Sequence, residues 1–531
     1  MSAAVPRVLQ PAMHGIAELP PDLAVTDLTL DSREVTPGAA FFACRGARAH
    51  GLAFAARAAA AGARVILWES APGVQMPALP AHVRVIEVPQ LRAHLGQIAD
   101  RFFGAPSAHL AIAGITGTSG KSTCAWLLAE ALALLGRRSA YIGTLGVGNA
   151  RCDSAGAVAL AVRPLAHTTP DVLSVHRLLG QLVENGSDSV AMEISSHALD
   201  QGRCAGVRLR AAAFTNLTRD HLDYHGSMDA YAAAKARLFD WPQLGARVIN
   251  VDDAFGRVLA QRLQARPGEA PLFLTGRDAG AVQTMARAVA TAAAAGVSRR
   301  AADYVCAERV SIGAHGLTLA VLSSRGNASL TSALRGAFNA DNLLTVLALL
   351  LAWEIPLPRA CEVLAACAAP PGRMQAEGGG TLPLVLIDYA HKPDALAKAL
   401  AAARLHCEGR LWCVFGCGGE RDQGKRAEMG RIAAELADLL IITDDNPRGE
   451  DPAAIATAIA EGAAAAGAGR RMRIVHDRAL AIRRALAQAT AHDVVVVAGK
   501  GHEEYQLIAG QRRAFSDAAA VRAALAMRGA A

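Results

Sequence analysis

Aromatic side chains make up only 4% of the 531 residues, so the interior has to be built from aliphatic side chains and alanine. Long apolar runs are missing too: the longest, 346–353, is far below the ~20 residues of a membrane-crossing helix. Residues 1–19 carry Pro6, Arg7, Pro11 and His14 where an export signal has its apolar core, so a cytoplasmic chain with no membrane span is expected. The ten cysteines are scattered without CxxC pairs. Cys413 and Cys417 lie four apart but lack a second pair to complete a metal site, and reduced core cysteines are expected. Neither sign of charge dominates. A net +7 is too small for the basic field of a dedicated nucleic-acid binder and hints only at acidic small molecules as partners.

What remains is a globular chain, 52% apolar and 19% charged, long enough at roughly 150 residues per domain for about three and a half units. Three blocks separate by pattern. Residues 1–107 show an alternating stretch at 27–33, a strand through Phe41 and Phe42, an Ala-rich helix near 52–62 and a strand at 65–68, a small α/β unit. Residues 108–369 open with an apolar strand at 110–115, a glycine loop and a helix from 121 to about 135. Further strands at 189–194, 211–215 and 247–251 each precede a helical pattern, which predicts a mostly parallel sheet covered on both faces. The Ala-rich stretch 282–295 reads as helix or loop, and 340–353 as an apolar helix. Residues 370–531 repeat strand-then-polar-loop four times, at 384–387, 411–415, 439–442 and 494–497, as in a Rossmann-like α/β domain.

Between the strand at 110–115 and its helix lies Gly117-Thr118-Ser119-Gly120-Lys121-Ser122-Thr123. Glycines there let backbone N–H groups converge on phosphate oxygens, Lys121 neutralises the terminal phosphates, and the Ser122 hydroxyl can ligate Mg²⁺. The usual G-x-x-x-x-G-K-[ST] spacing needs Gly at 115, where this chain has Ile, so a variant phosphate loop is indicated. Glu193 ends a neighbouring strand and can reach that metal, while His221, after the next strand, reads equally well as a ligand or as a structural histidine. Lys235 shares a helix face with Tyr231, Leu238 and Phe239, which favours a neutral amine able to add CO₂; from spacing alone, a lysine snorkelling to solvent is the stronger reading.

Taken in order, the loop 117–123, Glu193-Ile194-Ser195-Ser196-His197, the stretch 216–225 with Lys235, Gly336-Ala337-Phe338-Asn339 with Asn342, Gly372-Arg373-Met374 and Asp388-Tyr389-Ala390-His391 resemble the Mur ligases, ATP-dependent enzymes that extend the peptide of the cell-wall precursor. The resemblance spans residues 28–506 and is strongest to the branch that adds the third residue to UDP-N-acetylmuramoyl-L-alanyl-D-glutamate. It implies three α/β domains: an N-terminal uridine-nucleotide domain at 1–107, a central P-loop ATPase domain at 108–369 and an amino-acid domain at 370–531. Leu30, Ser32, Ala47, Arg48 and Ala49 match uridine-nucleotide contacts, and Thr168, Thr169, Ser195, Gln201 and Arg203 match the muramoyl-dipeptide site. Lys235 matches a carbamylated lysine (N6-carboxylysine), which reverses the reading from spacing. Glu193 and His221 match metal positions beside Ser122; Asn339 and Arg373 match contacts to ATP.

For the third block the resemblance points to meso-diaminopimelate as the incoming amino acid, through Asp445-Asn446-Pro447-Arg448 together with Arg421, Gly499 and Glu503. An Arg fork can take the distal carboxylate that lysine lacks, and would repel lysine's lone ammonium. The same four residues also suit an Asx turn ahead of a helix. Ser119, Ser122, His167, Lys392 and Gln375 depart from the family's usual residues, with Ser122 keeping its hydroxyl. The implied chemistry is phosphorylation of the D-glutamate carboxylate by ATP with Mg²⁺, then attack by the amine on the acyl phosphate, with hinges near 107 and 370 and a monomer expected. The rivals are the same reaction with L-lysine, disfavoured by Arg448, and a folylpolyglutamate synthase-like ligase, disfavoured by the N-terminal block. A P-loop NTPase acting as a switch or nucleic-acid binder, and a non-catalytic scaffold, leave the third block's loops or the intact phosphate loop unexplained.

Overall fold

A computed structural model describes residues 5–46, 49–153, 158–264, 270–294, 302–313 and 315–529. The chain divides into two compact units, Met1–Phe273 with Ala288–Ala302, and Leu274–Arg287 with Asp303–Ala531. Among the described residues no helix is long and apolar enough to cross a membrane.

Near the start of the first unit, after an antiparallel pair Arg7–Val8 and Ala24–Val25, four parallel strands pair in chain order, Leu28–Thr29, Ala40–Ala43, Val65–Trp68 and Arg84–Glu87. Successive side chains point to opposite faces. Phe42 and Leu67 therefore pack with Leu91, Leu95 and Ile98 of the helix Leu91–Phe102, while Phe41 and Ile66 pack with Leu52, Ala55 and Ala58. The alternating stretch at 27–33 yields only the two-residue strand Leu28–Thr29. Beyond it Asp31 accepts from the Arg33 amide at 2.8 Å, a local turn that competes with the ladder. The expected helix at 52–62 splits into a 3₁₀ turn, Gly51–Phe54, and the helix Ala55–Ala60, and Gly62 at φ 96° closes it.

The phosphate-loop strand Ala111–Thr116 lies inside a sheet ordered Val158–Leu160, Gly146–Cys152, Ser139–Gly143, Ser189–Glu193, Ala111–Thr116, Ala211–Phe214, Arg247–Asn250. The last five are parallel, as the buried apolar runs predict; the hairpin at the other edge is antiparallel. The helix Lys121–Leu134 is buried from Ser122 through Ala133, the mark of a helix apolar on all sides inside an α/β stack. Register pairs Glu193 with Ile115 and Phe214 with Thr116, so the loops following all three strands open at one sheet edge.

The second unit carries strands at 303–332 that the sequence reading did not name. Asp303–Gly313, Gly316–Ser323 and Gly326–Ser332 form an antiparallel meander, with Leu317, Leu319 and Val321 buried on one face. The Ala-rich stretch is helical over Ala279–Ala294, and residue 295 lies outside the described residues. The helix Phe338–Ala352 is followed by Leu357–Ala366. The third block is a six-stranded sheet ordered Gln375–Gly378, Leu384–Asp388, Val494–Ala498, Leu411–Phe415, Leu439–Ile442, Met472–Ile474, parallel except at its first strand. Helices cover both faces: Cys413, Phe415 and Val496 share one core with Leu396 and Met429, and Trp412, Val414 and Val497 another with Ile482 and Val521.

Candidate active site

The glycine loop leaves its strand at Gly117 (φ 152°), where a β-carbon would stand 1.9 Å from Thr215 Oγ1, and enters its helix through Gly120 (φ 85°). The neighbouring segment holds it closely. The Asn216 carbonyl accepts from the Thr118 amide at 2.8 Å, Asn216 Oδ1 accepts from the Ser119 amide at 2.9 Å, and Thr215 Oγ1 donates to the Ser119 carbonyl at 2.6 Å. Thr118 Oγ1 also meets the Tyr231 hydroxyl at 3.1 Å. Lys121 Nζ donates to the Gly117 and Thr118 carbonyls, at 2.9 and 3.0 Å.

Glu193 is fully buried, and its carboxylate gathers donors. Ser122 Oγ donates at 3.0 Å, the Tyr141 hydroxyl at 2.5 Å, the Thr144 amide at 2.8 Å and Thr144 Oγ1 at 3.2 Å. Thr144 Oγ1 in turn meets Thr168 Oγ1 at 3.1 Å. Gly143 makes room for this group, since a β-carbon there would stand 2.2 Å from Glu193 Oε1.

Lys235 is 1% exposed and its Nζ donates to the Gly117 carbonyl at 2.7 Å, the same oxygen that accepts from Lys121. Burial, reinforced by the Lys121 charge, holds its pKa well below the ordinary lysine value. The ammonium does not snorkel to solvent, so the structure sets aside the reading from spacing alone. Its helix, Met228–Ala236, is capped by Ser227 and tightens into 3₁₀ over Arg237–Asp240, so Leu238 and Phe239 lie on the tighter turn. His221 sits in the left-handed region (φ 53°), 3.6 Å from Asp220 and packed beside His197 and Tyr231 at ring distances of 4.8 and 6.1 Å. Among the described residues no three His, Cys, Asp or Glu side chains are grouped to hold a metal ion.

On the same side, Thr169 Oγ1 donates to the Glu193 carbonyl and accepts from the Ser195 amide, while Ser195 caps the helix Ser196–Asp200. Arg203 clasps Gln201 Oε1 through Nε and Nη2, at 2.9 and 2.7 Å, and donates to the Thr169 carbonyl at 2.8 Å. Gln201 and Tyr224 line a cavity of about 660 Å³ with Arg45, Gly46 and Arg92 of the N-terminal part. Ala47 and Arg48 lie outside the described residues; Ala49 is exposed. Ser32 is buried and accepts from both Nε and Nη2 of Arg57, at 2.9 and 2.5 Å, and Leu30 is half-buried. His167 is exposed beside Thr168.

In the second unit, Asn339 is buried at the start of its helix, donating to the Arg335 carbonyl and accepting from Asn342, both at 2.7 Å. Arg373 lies 5.1 Å from the centre of the Tyr389 ring, with its buried Nε unpaired. Gln375 Oε1 accepts from the Gly372 amide at 3.0 Å, which gives that departure a role in shaping the turn. Around the 494–498 strand end, Lys500 Nζ is fully buried between Asp445 Oδ1, Asn446 Oδ1 and Glu503 Oε2, at 3.3, 3.1 and 3.2 Å. Asn446 Nδ2 also donates to Glu503 Oε2 at 2.9 Å. Gly499 (φ 114°) brings the backbone close to Asp445, and its amide donates to the Asp388 carbonyl. Arg448 has φ 55°, donates through Nη1 to the Gly419 carbonyl at 2.6 Å, and is pinned through its own backbone to Leu507 and Ala509. A β-carbon at Gly418 would stand 2.9 Å from Arg448 Nη1 and 3.9 Å from Cγ of the exposed Arg421, so this glycine lets the two arginines approach each other.

Sequence reasoning missed Tyr141, Thr144, Thr215 and Lys500. For Thr144, Thr215 and Lys500 the signal was position, just beyond the carboxyl end of a buried strand; Tyr141 lies in the middle of its strand, Ser139–Gly143, where the pattern gives no such signal.

Comparisons with known proteins agree with this layout. Residues 24–103 match the Mur ligase family catalytic domain, 115–350 the Mur ligase middle domain and 372–501 the Mur ligase glutamate ligase domain. The chain is 45% identical, over 94% of its length and 95% of the relative's, to the UDP-N-acetylmuramoyl-L-alanyl-D-glutamate--2,6-diaminopimelate ligase of Ectopseudomonas mendocina. It is 47% identical to the protein of that name from Xanthomonas campestris, over 95% and 94% of the two chains. A solved structure of a ligase of the same name superposes with a TM-score of 0.67 at 32% identity, covering 99% of this chain and all of that one. With three Mur ligase domain models matched in order along it and these relatives matched over nearly its full length, the chain belongs to the Mur ligase family.

Proposed function

We propose that the chain joins meso-diaminopimelate to the D-glutamate of UDP-N-acetylmuramoyl-L-alanyl-D-glutamate, with ATP as co-substrate, in cytoplasmic synthesis of the peptidoglycan precursor. Residues 1–107 take the uridine nucleotide, 108–369 the ATP and 370–531 the incoming amino acid. The observation that carries the choice of amino acid is Arg448, held by its backbone and turned beside Arg421, where a guanidinium can take the distal carboxylate bidentately. The near-full-length likeness to proteins named for that reaction supports the same choice.

Backbone amides of 117–120 and Lys121 hold the phosphates of ATP, and Asn339 and Arg373 take the nucleotide. Ser122, Glu193, His221 and a carbamate on Lys235 are the oxygen and nitrogen donors for Mg²⁺. The donor set fits a hard cation because Ser122 and Glu193 already touch at 3.0 Å, and a carbamate replaces the cation crowding Lys121 with an anion. When bound, Mg²⁺ neutralises charge on the phosphate oxygens. Lys121 stabilises the phosphoryl group in transit to the D-glutamate carboxylate. Thr168, Thr169, Ser195, Gln201 and Arg203 hold the dipeptide, and Leu30, Ser32 and 47–49 the uridine end. Glu503 receives the amino group that displaces phosphate from the acyl phosphate; Asp445, Asn446, Pro447 and Gly499 shape that pocket.

The chemistry is tested by labelling the D-glutamate side-chain carboxylate with ¹⁸O. One label atom should appear in inorganic phosphate for each peptide bond formed; unlabelled phosphate would exclude the acyl phosphate.

A further inference from the structure

We propose that Lys500 is a positioning residue for the incoming amino acid: a buried cation that aligns Asp445, Asn446 and Glu503 toward the substrate. The inference rests on reading 445–448 and Glu503 as the diaminopimelate pocket, and it adds a residue to which that reading gave no role.

Lysine is seldom fully buried unless paired, and Lys500 has no exposed surface at all. An ammonium has three protons to donate. Here they meet three side-chain oxygens, one each from Asp445, Asn446 and Glu503, drawn from two loops that follow different strands. The arrangement fixes orientation as well as charge. Asn446 Oδ1 accepts both from Lys500 and from the Leu507 amide at 3.0 Å, which turns Nδ2 toward Glu503. Glu503 Oε2 is thereby engaged twice, whereas Oε1 accepts no hydrogen bond among the described residues and is the oxygen left to meet an amine.

Without the ammonium, Asp445 and Glu503 would lose the one cation hydrogen-bonded to both among the described residues, and an incoming ammonium would meet two carboxylates less firmly fixed. A purely architectural role is already filled nearby. Arg478 and Asp517, both fully buried, form a two-bond pair at 2.7 and 2.8 Å, and Arg478 Nη2 ties the strand end at the Ala498 carbonyl. The Lys500 ammonium instead hydrogen-bonds, among the described residues, to groups assigned to the substrate pocket and lies 5.6 Å from the half-buried Tyr505 ring.

The test is steady-state kinetics on full-length Lys500→Met, varying each of the three substrates in turn. The expected result is a KM for diaminopimelate raised about 10- to 100-fold, the size of a lost charge-assisted hydrogen bond, with KM for ATP and for the muramoyl dipeptide unchanged. A folded variant with unaltered KM for diaminopimelate, or with equal losses toward all three substrates, overturns the proposal. Should Lys500→Met not fold, adding Asp445→Asn removes one buried anion with the cation, and the same split in KM is expected. Failure of both variants to fold would make Lys500 architectural and also overturn it. Wild-type enzyme that rejects diaminopimelate would defeat the parent reading; wild type that uses it beside an indifferent Lys500→Met defeats only this one.

Discussion

At Lys235 two effects act in the same direction. Burial disfavours the ammonium, and Lys121, bonded to the same Gly117 carbonyl, repels it. A neutral amine in that setting is a good acceptor of CO₂, and the resulting anion faces a cation instead of competing with one. Lys235→Ala should therefore cost roughly 10²- to 10³-fold in kcat, the scale of losing one preorganised charged group. Added formate or acetate should restore part of it, and full activity without rescue would exclude the carbamate. Spacing showed that the Lys235 face was apolar, but not that the side chain turns inward, because a helix face does not reveal which strand end it covers. Lys500 illustrates the same limit: its sequence neighbours were assigned roles, whereas its partners at 445 and 446 lie about 55 residues away and meet it only through the sheet order.

At the scale of elements, buried strands were the most legible feature, since parallel strands covered on both faces read as continuous apolar runs. All four strand-and-loop repeats of the third block are present, within a residue of the expected bounds. The meander at 303–332 was missed. Its alternation of Leu317, Leu319 and Val321 with more exposed residues is an antiparallel signature, which a template of parallel strands overlooks. A second element, 215–218, holds the loop 117–120 from the side through hydrogen bonds. Gly117→Ala tests that grip: its β-carbon would collide with Thr215 Oγ1, a donor to the Ser119 carbonyl. Strain of about 1–3 kcal/mol should loosen the loop and lower kcat/KM for ATP by roughly 10- to 100-fold. Unchanged ATP kinetics would show that the contact with 215 is dispensable.

Across the whole molecule the modest net charge of +7 is compatible with the acidic substrates proposed. The cations proposed to meet them are Lys121 and Arg203 in one unit, and Arg421, Arg448 and Lys500 in the other. Composition could say only that acidic small molecules were plausible; the ordered motifs supplied the family, and the side-chain geometry within each unit supports the division of labour proposed. The central claim is that the third block selects meso-diaminopimelate over L-lysine. The most direct measurement gives the enzyme ATP, Mg²⁺ and UDP-N-acetylmuramoyl-L-alanyl-D-glutamate with both amino acids at equal concentration, and weighs the product. The account predicts that the diaminopimelate adduct dominates and that Arg448→Ala erodes this preference. Equal or greater incorporation of lysine by the wild-type enzyme would contradict it.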